Sequence, residues 1–335
     1  MEMTLINNLD QLQELGEDWN QLLESSASHV PFLRHEFVSS WWQTLGGGEW
    51  DQGDLFVLLA EQSSGQPHGI APLFLHRHKL MFIGTHEIAD YLDFIAPRER
   101  LESFLYTMFE FLDEESTAWE TLELYNLVQD SPSLSLLETC AQNKGWHFQK
   151  EVLQPAPCLR LPDTWDAYLD GLDSRYRHEI ERKIRRAEGY FLPVEWYFVD
   201  EADHLDQELD AFLELMAHHP EKAQFLTDVM ESHLKHSVRR AFQEGWAQLS
   251  FLTVGGKKAA GYLNFDFDNR IWVYNSGLNP MFENISPGWV LLGYLIQWAI
   301  STGRASFDFM RGDERYKYHF GGDNRFVVRA RISRK

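Results

Sequence analysis

Cysteine and long apolar runs are scarce in this chain. Only two cysteines occur among 335 residues, too few for a disulfide framework and without the spacing of a metal site. We therefore expect no bound metal and a reducing compartment, the cytoplasm. The longest uncharged run, residues 284–303, contains Pro287 and Gln297. Because its apolar part is shorter than the ~20 residues that a membrane span needs, no membrane span is predicted.

Basic residues are outnumbered, with 30 lysines and arginines against 51 acidic residues and a formal net charge of -21. Such a surface repels polyanions, so nucleic acid is a disfavoured partner and any polyanion contact must be local. The sequence also contains no Gly-x-Ser-x-Gly elbow, no Gly-x-x-x-x-Gly-Lys phosphate loop and no zinc-ligand spacing. These absences argue against a hydrolase, a nucleoside triphosphatase and a zinc module.

The chain repeats one order of predicted elements, namely a hairpin, a short strand, a helix and a further strand. In the first half these are residues 55–60 with 69–75, 80–83, 101–112 and 121–125, and in the second half 249–254 with 261–267, 271–274, 288–302 and 305–309. We therefore predict an α/β (α+β) fold with two tandem domains, each a mixed, mostly antiparallel sheet flanked by helices. A proline-marked stretch puts the boundary between residues 1–153 and 154–335.

Several segments carry a resemblance to a known family. In the second half they are Tyr-Asn-Ser-Gly at 274–277, Ile-Ser-Pro-Gly at 285–288, the run from Phe307 to Lys317 and the basic helix at 174–186; in the first half they are Trp41-Trp42 and the strand at 70–73. These segments resemble the CelD-like (BioF2-like) acetyltransferases of the GNAT superfamily, which are related to the FemAB aminoacyltransferases. The resemblance implies tandem GNAT-like domains, the first of them degenerate, and acetyl-CoA or another acyl-CoA as co-substrate.

The start of the second apolar helix is a candidate donor site. Ser286 is a good N-cap and Pro287 an acceptable first helical residue, so we expect the following backbone amides, of Gly288, Trp289 and Val290, to be free for an anion. Since GNAT enzymes hold the CoA pyrophosphate at this place, the resemblance implies the following cofactor-binding residues: Asn275, Ser276, Gly277, Ser286, Pro287, Gly288 and Trp289. Only one glycine of the usual GNAT loop is kept, and an ordinary helix start is the alternative.

The charged cluster after the last strand supplies candidate catalytic residues. Asp308 or Asp313 can accept an amine proton, and Tyr316 can hold or protonate a leaving group. Lys317 can hold a phosphate or carboxylate. The alternative is structural, with Asp308 paired to Arg311 at the strand end and Tyr316 in the core.

Arginine residues are the candidates for binding the acceptor. Arg182 and Arg186 share a face of the basic helix, and Arg311 lies in the charged cluster. Guanidinium groups bind phosphate and carboxylate through two hydrogen bonds, which suits an anionic acceptor. We expect Arg311, Asp313 and Lys317 to be unpaired charges beside the donor helix. For the basic helix, a solvated surface with internal ion pairs is the alternative.

These observations lead to one functional hypothesis and two alternatives. The hypothesis is transfer of an acyl group from a CoA thioester to an amine of a small-molecule or sugar-type acceptor that enters between the two domains. Acetyl is the acyl group that we expect. One alternative is FemAB-like aminoacyl transfer from a charged tRNA. The other is a non-catalytic binding component of a biosynthetic assembly.

Overall fold

The structure is a computed structural model that describes residues 2–63, 65–85, 87–115 and 117–334. Its internal contacts divide the chain into two compact units, Met1–Pro155 with Arg325–Lys335, and Ala156–Asn324. The first unit begins with the elements β1 (Glu2–Ile6), α1 (Leu9–Glu14), α2 (Gly16–Glu24), a 3-10 helix (Pro31–Leu33), α3 (His35–Gly48), β2 (Asp54–Leu55), β3 (Val57–Glu61), β4 (Pro67–Ala71), β5 (Leu73–His76), β6 (Lys79–Phe82), α4 (Arg98–Glu114), β7 (Thr121–Val128), α5 (Pro132–Asn143) and β8 (His147–Pro155).

The second unit holds the remaining elements except the last strand. They are β9 (Cys158–Arg160), α6 (Trp165–Gly171), α7 (Ser174–Glu188), β10 (Val194–Phe198), α8 (Ala202–Ala217), α9 (Pro220–Phe225), α10 (Asp228–Gln243), β11 (Ala247–Val254), β12 (Lys257–Phe267), β13 (Arg270–Leu278), a 3-10 helix (Pro280–Ile285), α11 (Pro287–Ser301), β14 (Ser306–Asp308) and α12 (Arg315–His319). The final strand of the chain is β15 (Phe326–Ser333).

Each unit contains a six-stranded mixed sheet in which one pair of neighbouring strands is parallel. The strand orders are β2-β5-β6-β7-β15-β8 in the first unit and β10-β11-β12-β13-β14-β9 in the second. The parallel pairs are β6 with β7 and β13 with β14, and each pair is connected through one long helix, α4 or α11. This is the repeated order of elements that the sequence predicts.

The first hairpin is more broken than its apolar pattern indicates. Its two runs divide into β2 with β3 and β4 with β5, and β3 and β4 join β1 in a separate three-stranded sheet. The breaks fall at Phe56 and Pro72. Proline has no N–H to donate to a ladder, so a strand changes partners most readily at such a residue.

The last strand differs from the sequence-based division of the chain. The sequence predicts one domain over residues 154–335, but β15 lies between β7 and β8 in the sheet of the first unit. Val327, Val328, Ala330 and Ile332 are buried there. Their burial in that sheet is a long-range pairing that no local pattern encodes.

The helix α11 is the core helix of the second unit. Its side chains are apolar all round the helix axis, and Val290, Leu291, Leu295, Ile296 and Ala299 are all completely buried. A helix of this kind is stable only when it is covered on every side. It packs against α7 and the sheet strands β12 and β13, and this contact fixes the position of its first turn.

Candidate active site

Two parallel strands of the second unit separate at one end and open the sheet. β13 pairs with β14 only through Arg270 to Trp272 and Ser306 to Asp308. Beyond this pairing β13 continues to Leu278, whereas β14 ends at Asp308. A shift in the β12–β13 register leaves Tyr274 as an extra residue, which is a β-bulge. The end of β13 therefore presents backbone groups that β14 does not cover.

The first turn of α11 lies next to this opening, but it is not capped as the sequence predicts. Ser286 has a left-handed backbone (φ 53°, ψ 57°), and its side chain caps no amide of the helix. Instead the Ser286 hydroxyl accepts a hydrogen bond from Lys183 Nζ at 2.9 Å. The expected capping by the Ser286 side chain is wrong, because its hydroxyl is bound by Lys183 of α7 instead of by an amide of the helix.

The three amides expected to be free are mostly occupied. The amides of Trp289 and Val290 donate to the Ser286 carbonyl at 3.0 and 3.2 Å. Within the described part of the chain, only the Gly288 amide of the three has no acceptor. A Cβ atom at Gly288 would approach Leu278 Cδ2 to 2.7 Å, so protein packs against this glycine. The helix start thus offers one amide to an anion, rather than a row of three.

A cavity of about 430 Å³ lies between the end of β13 and the first turn of α11. Ser276, Gly277, Ser286, Pro287, Gly288 and Trp289 line it, so the structure brings six of the seven predicted donor-site residues together. The segment between α8 and α9 forms another wall, which includes His218 and His219. Apolar side chains alternate with Lys183 and Lys222, and Glu283 is the acidic member of the lining. The cavity therefore suits a partly apolar, anionic ligand.

Lys222 is an important residue of this cavity that the sequence does not predict. It lies on α9 and donates from Nζ to Asn275 Oδ1 at 2.8 Å and to the Ser276 carbonyl at 2.5 Å. Burial lowers its pKa to about 8, and the Glu314 carboxylate has a smaller, opposite effect. Lys222 is separated from Asn275 by 53 residues, so no local motif joins the two. Through Lys222, Asn275 also takes part in the site.

The charged segment after β14 folds back on itself. Asp308 is 1% exposed and accepts a hydrogen bond from the Met310 amide at 2.9 Å. Met310 and Gly312 both have positive φ angles, of 62° and 123°. At Gly312 this angle is the unusual backbone conformation for which glycine is suited. The segment is a tight turn that leads from the sheet edge to α12.

The three charges of this segment that were expected to be unpaired all have partners. Lys317 is 2% exposed and donates to the carbonyls of Met310 (3.2 Å) and Arg311 (2.6 Å) as well as to Glu314 Oε2 (2.9 Å). The exposed Asp313 accepts from the Tyr318 hydroxyl at 2.6 Å. Arg311 also has an interaction partner. The expectation fails because the turn brings backbone carbonyls onto the lysine, a contact that sequence spacing does not reveal.

Tyr316 lies on α12 with its ring near Phe309, and burial raises its pKa. Its hydroxyl has no hydrogen-bond partner within the described part of the chain. The next residues of this region approach the cavity, because Trp289 packs against the rings of His319 and Phe320 at 5.6 and 5.0 Å between centroids. The predicted donor segment and the charged segment are therefore neighbours.

The basic helix α7 contributes a different side chain from those predicted. Arg182 is exposed and pairs with Glu179 at 2.9 Å, and Arg186 is exposed at the end of the helix. Neither lines the cavity, whereas Lys183 does. Ile180 and Ala187 form the buried stripe that faces α11, and Lys183 lies at the edge of this stripe. For Arg182 the structure therefore agrees with the alternative interpretation of the basic helix, a solvated surface with internal ion pairs.

A family comparison decides what kind of domain this is. Residues 174–318 match the model of the Acetyltransferase (GNAT) domain. This part of the chain is a GNAT acyltransferase domain. The predicted membership of the GNAT superfamily and the predicted fold class are confirmed. The match to this domain supports an N-acyltransferase enzyme. No curated protein sequence matches it.

Solved structures that share the fold extend over the whole chain. FemX has 13% identity, covers 98% of this chain and 97% of its own, and gives a TM-score of 0.63. L-PGS from Bacillus licheniformis has 13% identity, with 95% and 91% coverage and a TM-score of 0.59. A tandem GNAT protein from the clavulanic acid biosynthesis pathway has 12% identity, 98% coverage of both chains and a TM-score of 0.50. At these identities the likeness concerns the fold.

Within residues 2–63, 65–85, 87–115 and 117–334, no group of three or more histidine, cysteine or acidic side chains is placed to hold a metal ion. In the same residues, no helix combines the length and the apolar character that crossing a bilayer requires.

Lys317 of the GNAT domain is expected to stabilise the fold. Lys317→Met removes the donor for two carbonyl groups in a tight turn, so the free energy of unfolding should fall by about 2–3 kcal/mol, as for hydrogen bonds to a charged group. Urea denaturation of the full chain measures this. Lys257→Met, at an exposed lysine in the β11–β12 hairpin, is the matched control and should change the stability by less than about 0.5 kcal/mol. Equal effects of the two variants would contradict the role given to Lys317.

Proposed function

We propose that the GNAT domain transfers an acyl group from an activated, phosphate-bearing donor to an amine of its acceptor. The observation that carries this proposal is the cavity at the uncovered end of β13, where Lys183 and Lys222 lie among apolar walls. The lysines suit a phosphate, and the apolar walls suit the arm that links a phosphate to an acyl group.

The reaction needs three things that residues near the opening of the sheet can supply. Backbone N–H groups at the bulged end of β13 can polarise the acyl carbonyl. Asp313 can accept the proton that the attacking amine loses, and Tyr316 can return a proton to the leaving oxygen or sulfur. In this proposal Arg311 binds the acceptor, while Asp308 and Lys317 shape the turn that holds these groups. An N–C bond forms as the bond from the acyl carbon to the donor breaks.

For the donor, we favour an aminoacyl ester of tRNA over a CoA thioester. The start of α11 offers one free amide instead of three, and this weakens the case for a CoA pyrophosphate in that position. The fold is also that of FemX and L-PGS, and the sequence resembles relatives of the FemAB aminoacyltransferases. Against the net charge of -21, the exposed side of α7 supplies a local basic surface with Arg185 and Arg186.

Acetyl-CoA is the second candidate donor. The observation in its favour is the match of residues 174–318 to an acetyltransferase domain model. A CoA phosphate would then bind to Lys183 and Lys222 rather than to a row of helix amides. The acceptor remains a small-molecule or sugar-type amine in either case.

Direct binding at moderate salt separates the two donors. Full-length protein is titrated with a stable alanyl-tRNA analogue carrying an amide-linked aminoacyl group, with uncharged tRNA, and with acetyl-CoA. We expect saturable binding of the charged tRNA analogue, weaker binding of uncharged tRNA and no thermal shift with acetyl-CoA. Saturation by acetyl-CoA alone would move the assignment to CoA. No binding of any donor would contradict the transferase proposal and favour a non-catalytic binding component.

A further inference from the structure

A second group of side chains lies beside the cavity, on the side of Trp289 that faces α12. We call it the cation–aromatic cluster. Tyr176 stacks on His319 with 4.2 Å between ring centroids and 25° between the planes, and His319 contacts Trp289 at 5.6 Å. The members of the cluster are Arg175, Tyr176, Lys183, Trp289, Arg315 and His319. They come from α7, α11 and α12, so the fold and not a local motif assembles them.

The cluster has an excess of positive charge. The Arg175 guanidinium lies 4.7 Å from the Tyr176 ring centroid, and Lys183 Nζ lies 4.3 Å from that of Trp289. Within the described residues neither Arg175 nor Arg315 forms an ion pair, and both are exposed. The carboxylate that acts on the cluster, Glu179, is already bound to Arg182 at 2.9 Å and lies 3.5 Å from Lys183. In a chain of net charge -21, two guanidinium groups without an ion-pair partner that both act on the His319 ring favour an anionic ligand.

The positive charge of the cluster affects the pKa of His319. Burial lowers its pKa, and the neighbouring cations Arg175, Arg315 and Lys183 lower it further, while Glu179 has the opposite effect. The ring is therefore neutral at pH 7. Its Nδ1 atom is buried and has no hydrogen-bond partner among the described residues. A bound anion would reverse the electrostatic effect of the cations and favour the protonated ring.

We propose that the cation–aromatic cluster binds a phosphate group of the acceptor, held by Arg175 and Arg315, and that His319 takes up a proton when the phosphate binds. This binding site is separate from the donor cavity described above. Its assignment to the acceptor depends on the proposed function. Because the free ring is neutral and the occupied ring is charged, binding should strengthen as the pH falls from 8 to 6. The other titratable groups facing His319 are Tyr176 and Glu179 of α7; the pKa of Glu179 is lowered, because hydrogen bonds and the charges of Arg182 and Lys183 outweigh the effect of burial, so its carboxylate stays ionised over that range.

Inorganic pyrophosphate is a suitable probe for calorimetric titration of the full chain at pH 6 and pH 8. The Arg175→Ala/Arg315→Ala variant should bind it at least tenfold more weakly than the unmodified chain. The matched control is Arg98→Ala/Lys257→Ala, which removes the same charge from two exposed positions outside the cluster; it should change the affinity less than threefold. Thermal melting of each variant verifies that it is folded.

The proton uptake has its own test. His319→Gln should retain most of the affinity at pH 8 but lose part of the gain seen at pH 6. Because the pyrophosphate titrates identically with both proteins, the difference between them isolates His319. Equal pH dependence of the two proteins would overturn the proposed uptake of a proton by His319.

Two further outcomes would overturn the binding site or its assignment. Equal weakening by the two double variants would mean that only net charge matters, and an absence of saturable binding would remove the site. Displacement of pyrophosphate by acetyl-CoA or by the charged tRNA analogue would assign the phosphate to the donor instead of the acceptor. Retention of pyrophosphate in the presence of either donor supports the acceptor assignment. Failure of the proposed function is judged separately, from the donor titrations.

Discussion

Lys222→Met is expected to weaken donor binding by about 10- to 100-fold, the equivalent of losing a hydrogen bond to a charged group. Lys222 lines the cavity and is held by Asn275 Oδ1 and the Ser276 carbonyl, with its remaining N–H available to a ligand. Methionine has a similar length without the charge. Because the substitution relieves the cost of burying an ammonium group but leaves two acceptors without their donor, the free energy of unfolding should fall by less than about 2 kcal/mol. Titration with the donor, together with thermal melting, measures both effects.

The pH dependence of donor binding should follow the same residue. Burial lowers the pKa of Lys222 to about 8, so the ammonium form that binds a phosphate is lost as the pH rises through this value. Donor affinity should therefore decrease between pH 7 and pH 9 in the unmodified chain and be nearly constant in Lys222→Met. The folding stability changes with pH in the opposite direction to the donor affinity. The unfolded chain keeps this proton up to a pKa near 10.4, so the contribution of Lys222 to folding stability improves from about pH 8 upwards.

The exposed residue Lys257 provides the control for Lys222. Lys257→Met removes the same charge from the β11–β12 hairpin, outside the cavity lining, and should leave donor affinity within about twofold, as expected for an exposed charge. If the two methionine variants bind the donor equally well, Lys222 has no part in the site.

Gly277→Ala is expected to lower the free energy of unfolding by about 3 kcal/mol, as overpacking a tight contact does. A Cβ atom at this position would lie 2.6 Å from the backbone carbon and the Cβ of Leu215 and from the Met216 amide nitrogen. These atoms belong to α8, so no flexible side chain can move aside. Because Gly277 lies at the uncovered end of β13 and lines the cavity, the variant should also widen the space between β13 and α8.

Urea denaturation tests this prediction, with Gly171→Ala as the control. Gly171 ends α6, and a Cβ atom there would have no neighbour within 4 Å. Since alanine is the better helix former, this substitution should be neutral or stabilising by up to about 1 kcal/mol. A loss of less than 0.5 kcal/mol for Gly277→Ala, roughly the effect of an ordinary surface change, would show that α8 does not pack against β13 as closely as described.

The local elements could largely be predicted from the sequence. Apolar runs and turn residues predict the β11–β12 hairpin, and the uncharged stretch predicts α11, because period and composition act over a few neighbouring residues. The family resemblance similarly rests on short segments around Ser286 and Asp308. The donor-site segments at the end of β13 and the start of α11 do line one cavity.

The details of the site depend on contacts between distant residues. The hydroxyl of Ser286 is turned to Lys183, which is 103 residues away, and Lys222 reaches Asn275 from another helix. Lys317, expected to be a free charge, is buried by the turn that Met310 and Gly312 allow. A composition or a spacing cannot specify which carbonyl a lysine will meet.

By itself, then, the sequence determined that the chain is an α/β protein with a repeated order of elements and a GNAT domain in its second half. Only the tertiary structure decided that β15 pairs in the first unit and that the amides at the start of α11 are mostly occupied. It also decided that Lys222 lines the cavity and that His319 belongs to the cation–aromatic cluster. The physical reason is the sequence distance over which each effect acts. Hydrophobic periodicity and turn preferences depend on residues that are near neighbours in the sequence, whereas burial, pKa values and charge pairing depend on which distant segments pack together.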